Sequence, residues 1–327
     1  MLFSTPDEIK NFLPQNAAFE MQQISSFITD TEDMLIVDAI GQAQYDLLHA
    51  AYTNANISGA LEKLLKKVRR PLANYAYYKY IPFAQLTFSA SGIHIEVNEQ
   101  KRSAFPEMIE KLEDACIEGA NTGIENLLKW MEANKADYAA WTGSTAYTVF
   151  KECFINTATE FSDHFNIGNS RRTFLALKGT MKKIEEFSIK PILCSTLFDA
   201  IKVEIKSGTV SSNNTALLNF IKPAVALLTG ARALTMPNIE FTSDGCQLAA
   251  TRDRPPLKPR PAAPADKIGA MQLAAQTDAQ VYLKQLNDYL YANADTYPTW
   301  KSSSCYIDPA SDAAAPFDQS NNGIVGF

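Results

Sequence analysis

Signatures of chemistry are scarce in this chain of 327 residues. It has three histidines, and none stands in an HExxH or other metal-ligand spacing. No Walker loop, GxGxxG, GxSxG or kinase signature occurs, which removes the commonest nucleotide, dinucleotide and serine-hydrolase sites. Long apolar runs are missing too. Nothing approaches the ~18 residues that cross a bilayer, and the opening MLFSTPDEIKNFLP lacks the basic and apolar regions of a secretion signal. The expectation is a soluble protein made in the cytoplasm, with no membrane partner. A net charge of −6 makes the whole molecule no obvious polyanion binder. Five cysteines (116, 153, 194, 246, 305) are scattered, odd in number and without a CxxC pair, which predicts reduced, mostly buried thiols. Carboxylates such as Glu110, Glu113 and Asp114 fall at helical spacing and read as a solvated face. The chain is expected not to be an enzyme and to hold no cofactor or metal.

What is present is a duplication. Residues 46–98 lie against 199–251 at a constant offset of 153, as from Asp46 to Asp199. Ser58, Leu64, Leu65, Ala73, Phe88 and Gly92 meet Ser211, Leu217, Leu218, Ala226, Phe241 and Gly245. Downstream the offset becomes 159. There Ile109, Ala115, Ala120, Ala133, Asn134, Tyr138 and Trp141 meet Ile268, Ala274, Ala279, Ala292, Asn293, Tyr297 and Trp300. The offset changes at the Pro-rich stretch Arg254–Pro264, which is where a duplicated fold tolerates insertion. Length alone also suggests two domains of about 150 residues.

Periodicity predicts mainly α-helical domains in tandem, each with a small β-hairpin. Thr5-Pro6-Asp7-Glu8 is a capped helix start. Helical spacing follows over 18–30 and 32–51, then over 58–80 with Leu61, Leu64, Leu65, Val68 and Leu72 on one face. Alternation about Gly92 predicts a hairpin near 85–97, and a long helix follows near 104–134. The second copy gives helices near 146–164, 175–186, 188–206 and 213–235, a hairpin near 239–250, and a helix near 266–293. The expected domains are 1–145 and 146–301. Residues 302–327 form an extended tail outside both copies, with an apolar tip at Ile324, Val325 and Phe327.

Few side chains invite a functional reading. His94 alternates with polar residues and aligns with Gln247, which suits a solvated strand position. His164 falls near a helix end and suits a cap. Lys63, Lys66, Lys67, Arg69 and Arg70 leave the apolar side of their helix. They read either as a soluble face or as a surface for an acidic partner or DNA phosphates. Their aligned residues Ala216, Asn219, Phe220 and Pro223 are mostly neutral, so the cluster reads as specific to copy one. Trp141 and Trp300 follow the same Asn-x-x-x-Tyr-x-x-Trp spacing. They read as anchors onto the core, with a subunit interface as the alternative. Ser170-Arg171-Arg172-Thr173 reads as a helix start capped by Ser170 or Thr173. Its arginines are placed for an acidic neighbour or for the junction between copies.

The segment from Phe154 through Glu160, Phe161, Ser170, Arg171, Arg172 and Phe174 to Leu177, with the hairpin at Ser89–Ile93 and the long helix ending in a tryptophan, resembles an uncharacterised family from phages and prophages of gut anaerobes. That family is similar in helical plan to the head–tail connector (adaptor) proteins, which form rings below the portal of tailed phages. The resemblance implies a structural virion protein at the head–tail junction, synthesised in the bacterial host cytoplasm. Its partners would be copies of itself in a dodecameric ring (a hexamer being the alternative), the portal and tail proteins, and DNA non-specifically in a channel. The other positions it leaves open are tail-completion or tail-terminator protein. A cytoplasmic helical binding module is the reading from a different class.

Overall fold

The computed structural model describes residues 1–13, 20–84, 86–89, 92–94, 105–236, 239–242, 245–248 and 265–308. The protein is mainly helical. Its first half runs through α1 (Pro6–Lys10), α2 (Met21–Thr31), a π-helical turn (Glu32–Val37), α3 (Asp38–Ile40), α4 (Gln42–Thr53) and α5 (Gly59–Ala84). The short strands β1 (Thr87–Ser89) and β2 (Gly92–His94) lead to α6 (Pro106–Ala133), a 3-10 turn (Lys135–Asp137), α7 (Ala139–Thr142) and α8 (Thr145–Phe150). The second half gives α9 (Ala158–Ser162), α10 (Arg171–Ile184), a π-helical turn (Glu185–Ile189), α11 (Lys190–Ser207), α12 (Ser212–Ala233), β3 (Ile239–Thr242), β4 (Gly245–Leu248), α13 (Ala265–Ala292), a 3-10 turn (Ala294–Thr296) and α14 (Pro298–Lys301). β1 pairs antiparallel with β2, and β3 with β4.

The long helices form because their apolar residues recur at helical spacing. In α5, Leu64, Leu65, Val68, Leu72, Ala73 and Ala76 are buried. Against them lies α6, with Ile124, Leu127, Leu128 and Met131. Each large aliphatic side chain so buried is worth about 1.5–3 kcal/mol. Gly123 allows this approach, since a β-carbon on it would lie 2.9 Å from the Pro71 ring. α12 and α13 make the same pair in the second copy. The apolar interior divides in two: one cluster from Leu2 to Phe150, another from Cys153 to Trp300.

Polar contacts repeat as faithfully as apolar ones. The indole N–H of Trp141 donates to the carbonyl of Ala39 at 3.1 Å, and that of Trp300 to the carbonyl of Ile192 at 2.8 Å. Those two carbonyls precede equivalent breaks in the helical backbone, at Gly41 (φ +78°) and Cys194 (φ +57°). A break strands carbonyls that the next turn would have served, and the indole fills one such vacancy. The Tyr138 hydroxyl donates to the Ala60 carbonyl at 3.0 Å, and the Tyr297 hydroxyl to that of Asn213 at 2.7 Å. Tyr138→Phe and Tyr297→Phe are each expected to cost about 0.5–1.5 kcal/mol, readable as equal losses by urea denaturation.

The copies also begin alike, at an offset of 152. The backbone N–H groups of Leu2 and Phe154 donate to the buried carboxylates of Glu32 and Glu185, at 2.5 and 2.7 Å. Glu32 also accepts from the Tyr45 hydroxyl (2.8 Å), where Glu185 accepts from the Lys202 ammonium. Burial raises the pKa of Glu185 despite that ammonium and the Phe154 N–H. Glu8 closes a capping box on Thr5, and Glu160 stands at the same place, three residues after the N-cap Thr157. The N–H of Ser4 donates to Glu8 at 2.7 Å, and that of Asn156 to Glu160 at 3.0 Å.

Several expectations are corrected by this arrangement. The helix expected over 146–164 is two short ones. Phe154 to Thr157 run outside any helix, because the Phe154 N–H is taken by Glu185 and the Thr157 hydroxyl caps α9. The first unit extends past 145, since Tyr147 and Phe150 pack in its core. Residues 302–306 are part of the second copy. Tyr306 meets the Trp300 ring at 5.3 Å as Tyr147 meets Trp141 at 4.8 Å, and Ser303 bonds the Trp300 carbonyl as Ser144 bonds that of Trp141. The thiols are not all reduced: Cys194 and Cys305 form a disulfide, while Cys116 and Cys153 are free and buried. The Pro-rich stretch 254–264 and the tail from 309, with Ile324, Val325 and Phe327, lie outside the described residues.

Candidate functional site at the junction of the copies

The two units meet through charged side chains. Glu125, buried in α6, accepts from the Ala158 N–H at 2.8 Å with one oxygen and from Arg171 at 3.0 Å with the other. Arg171 is the first residue of α10, whose N-cap is Ser170: its hydroxyl accepts from the Thr173 N–H at 3.3 Å. Burial lowers the Arg171 pKa against the pull of Glu125. Its neighbour Arg172 is half-buried. Lys129 reaches the Thr159 hydroxyl at 3.2 Å, and Lys135 donates to the Gly208 carbonyl at 2.9 Å. That second contact puts a cation at the C-terminus of α11, where the helix dipole favours it.

A cleft of about 410 Å³ opens between the units, lined in part by Lys129, Glu132, Lys151, Asn156, Glu160 and Lys222. Four of its charges pair off, Lys151 with Glu132 at 2.7 Å and Lys222 with Glu160 at 2.5 Å. The side-chain oxygen of Asn156 is buried there without a hydrogen bond. Among the described residues no group of three His, Cys, Asp or Glu side chains is arranged to hold a metal ion.

The basic cluster of α5 does not act as one surface. Arg69 points inward. It pairs with Glu8 at 2.7 Å, donates to the Leu2 carbonyl at 2.9 Å and lies over the rings of Phe3 and Tyr52. Burial would raise the Glu8 pKa, but the Ser4 N–H, the Tyr52 hydroxyl and Arg69 together hold it below the usual carboxylate range. The aligned residue in copy two is Lys222, paired with Glu160, so at this position the charge repeats. Lys63, Lys66, Lys67 and Arg70 are exposed, with Lys66 bonded to Glu62 one turn earlier at 2.7 Å. Arg69→Ala is expected to cost about 1–3 kcal/mol, whereas charge reversal at Lys67 and Arg70 should stay within about 0.5 kcal/mol. Thermal denaturation of the three variants separates the two behaviours.

Of the remaining histidines, His49 stacks on Tyr45 at 5.7 Å, and burial lowers the pKa of His164. Sequence reasoning missed Glu125, Glu32 and Glu185, because nothing local marks a carboxylate whose backbone N–H donor lies 30 or more residues away.

Comparison with known proteins returns one match. Residues 36–151 and 189–310 each match a family of unknown function (DUF6712). The two matches begin 153 residues apart and end 159 apart, the offsets at which the chain aligns with itself. No curated protein and no solved structure matches. The matched segments together exceed half of the chain, so the protein belongs to the family DUF6712 and carries its unit twice.

Proposed function

We propose that this protein is a structural subunit that assembles with copies of itself into a ring, as a head–tail connector in the particle of a tailed phage. The observation that carries the assembly reading is an exposed apolar side chain at equivalent positions of the two copies. Met34 and Phe187 occupy equivalent positions on the two π-helical turns and are 60% and 71% exposed. The interior polar groups at equivalent positions are spent on backbone carbonyls and N–H groups, which holds the fold. An exposed apolar side chain repeated by the duplication offers each subunit two similar contact points, which suits a closed ring. The specific place in a phage particle rests on the resemblance of the Phe154–Leu177 segment. The exposed cations Lys63, Lys66, Lys67 and Arg70, with the apolar tail tip, are the parts offered to portal, tail or DNA. No helix among the described residues is long and apolar enough to cross a membrane.

Protein mass spectrometry of purified particles tests the placement. A connector is present in fixed ratio to the portal, whereas absence from particles contradicts the reading. The junction cleft and its unpartnered Asn156 oxygen favour a second reading, a binding module that holds a ligand between its units. That reading gains if the protein stays free of particles and monomeric.

A further inference from the structure

The disulfide joins two positions whose counterparts also lie close together in the first copy. In copy one, a β-carbon placed on Gly41 would lie 2.8 Å from Ser144 and 3.7 Å from the Ala146 methyl. The aligned residues in copy two are Cys194, Ser303 and Cys305. Cys194 keeps the left-handed backbone of Gly41 (φ +57°, ψ 161°), a region that disfavours a side chain. Its sulfur is joined to Cys305, with Cα atoms 5.8 Å apart. Where one copy places a glycine near an alanine, the other has a covalent link.

Beyond this contact the two copies diverge. In copy one the chain continues into α8, whose Tyr147 and Phe150 pack on the first core. In copy two, residues 304–308 form no helix, and Ile307 and Asp308 are exposed. Besides the disulfide, this segment is held by Tyr306 against Trp300 and Tyr291, and by the Ile307 N–H to the Tyr291 hydroxyl at 3.3 Å.

We propose that Cys194 and Cys305 form a redox-controlled latch that fixes residues 302–308 to the backbone break in α11. Both cysteines are half-exposed and within reach of small thiols. Cys116 and Cys153 do not compete, because burial pushes their thiols up to about 11 and about 12. Closure is thiol–disulfide exchange with a low-molecular-weight disulfide such as oxidised glutathione. One cysteine thiolate attacks that disulfide, its S–S bond breaks, and one small thiolate leaves. The second cysteine thiolate then displaces the other small thiol from the mixed disulfide. Two protein thiols are oxidised and one small disulfide is reduced to two small thiols; a dithiol reductant runs the sequence backwards. The latch is open in a reducing cytoplasm and closed outside it. This inference rests on the duplication and stands apart from the ring assignment.

Limited proteolysis of the full chain, in a Cys246→Ser background, tests it. Cleavage at Lys301 and Tyr306 is timed after equilibration with oxidised glutathione or with a dithiol. The latch predicts roughly tenfold slower cleavage in the oxidised protein, and peptide mapping that joins 194 to 305. The double variant Cys194→Gly/Cys305→Ala rebuilds the copy-one pair. It should fold, shown by an unchanged helical circular dichroism spectrum, and lose its response to redox conditions. Failure of the 194–305 link to form in oxidised glutathione overturns the proposal, as does equal cleavage of the linked and reduced forms.

Discussion

Replacing Trp300 with alanine is expected to cost the second copy about 3–5 kcal/mol, and Trp141→Ala is expected to cost the first copy about as much. Both indoles are fully buried. Each loses its ring packing, against Tyr291 and Tyr306 or against Tyr147 and Phe150. Each also leaves a carbonyl at a helix break without its donor. Phenylalanine at either position keeps most of the packing and loses the N–H, at about 1–3 kcal/mol for the orphaned carbonyl. Urea denaturation followed by circular dichroism measures all four variants. Matched losses at the two positions indicate the same anchor used twice. A Trp300 variant near wild type beside a crippled Trp141 variant would mean that the disulfide alone closes the second copy.

Arg171→Ala is expected to cost about 3–5 kcal/mol, because it leaves the buried Glu125 carboxylate unpaired at the junction. The mirror change, Glu125→Ala, strands Arg171 and also removes the acceptor of the Ala158 N–H. Replacing both by apolar residues of similar size removes the stranded charge and should recover much of the loss, as buried pairs commonly allow. A double-mutant cycle on Glu125 and Arg171 therefore returns a large coupling energy. Additive losses would mean that the pair does not join the units.

The sequence made the apolar skeleton legible, since helical spacing survives divergence: Leu64 and Leu65 align with Leu217 and Leu218, and Trp141 with Trp300. The polar skeleton was less so. Arg69 pairs with Glu8 across 61 residues, so its helical neighbours make it look like part of a solvated face. The N-terminal arms repeat at 152 instead of 153, and they share little beyond the Thr-x-x-Glu box that starts at Thr5 and Thr157. The break between α8 and α9 was hidden because Tyr147, Phe150, Phe154 and Phe161 are spaced as a helix would space them, though two of them belong to each core. The disulfide spans 111 residues in a chain with an odd number of cysteines. Its one trace in the sequence is that Cys194 and Cys305 align with Gly41 and Ala146, residues small enough to touch. The junction was half legible: Arg171 stood out beside Arg172, but its acidic partner is one of many glutamates in α6.

Native mass spectrometry of the full chain, over a range of concentrations, tests the central claim most directly. A subunit with a contact point repeated on each copy predicts one closed assembly, a hexamer or a dodecamer, lost when Met34 and Phe187 are both changed to serine. A single-chain mass at every concentration would contradict the account.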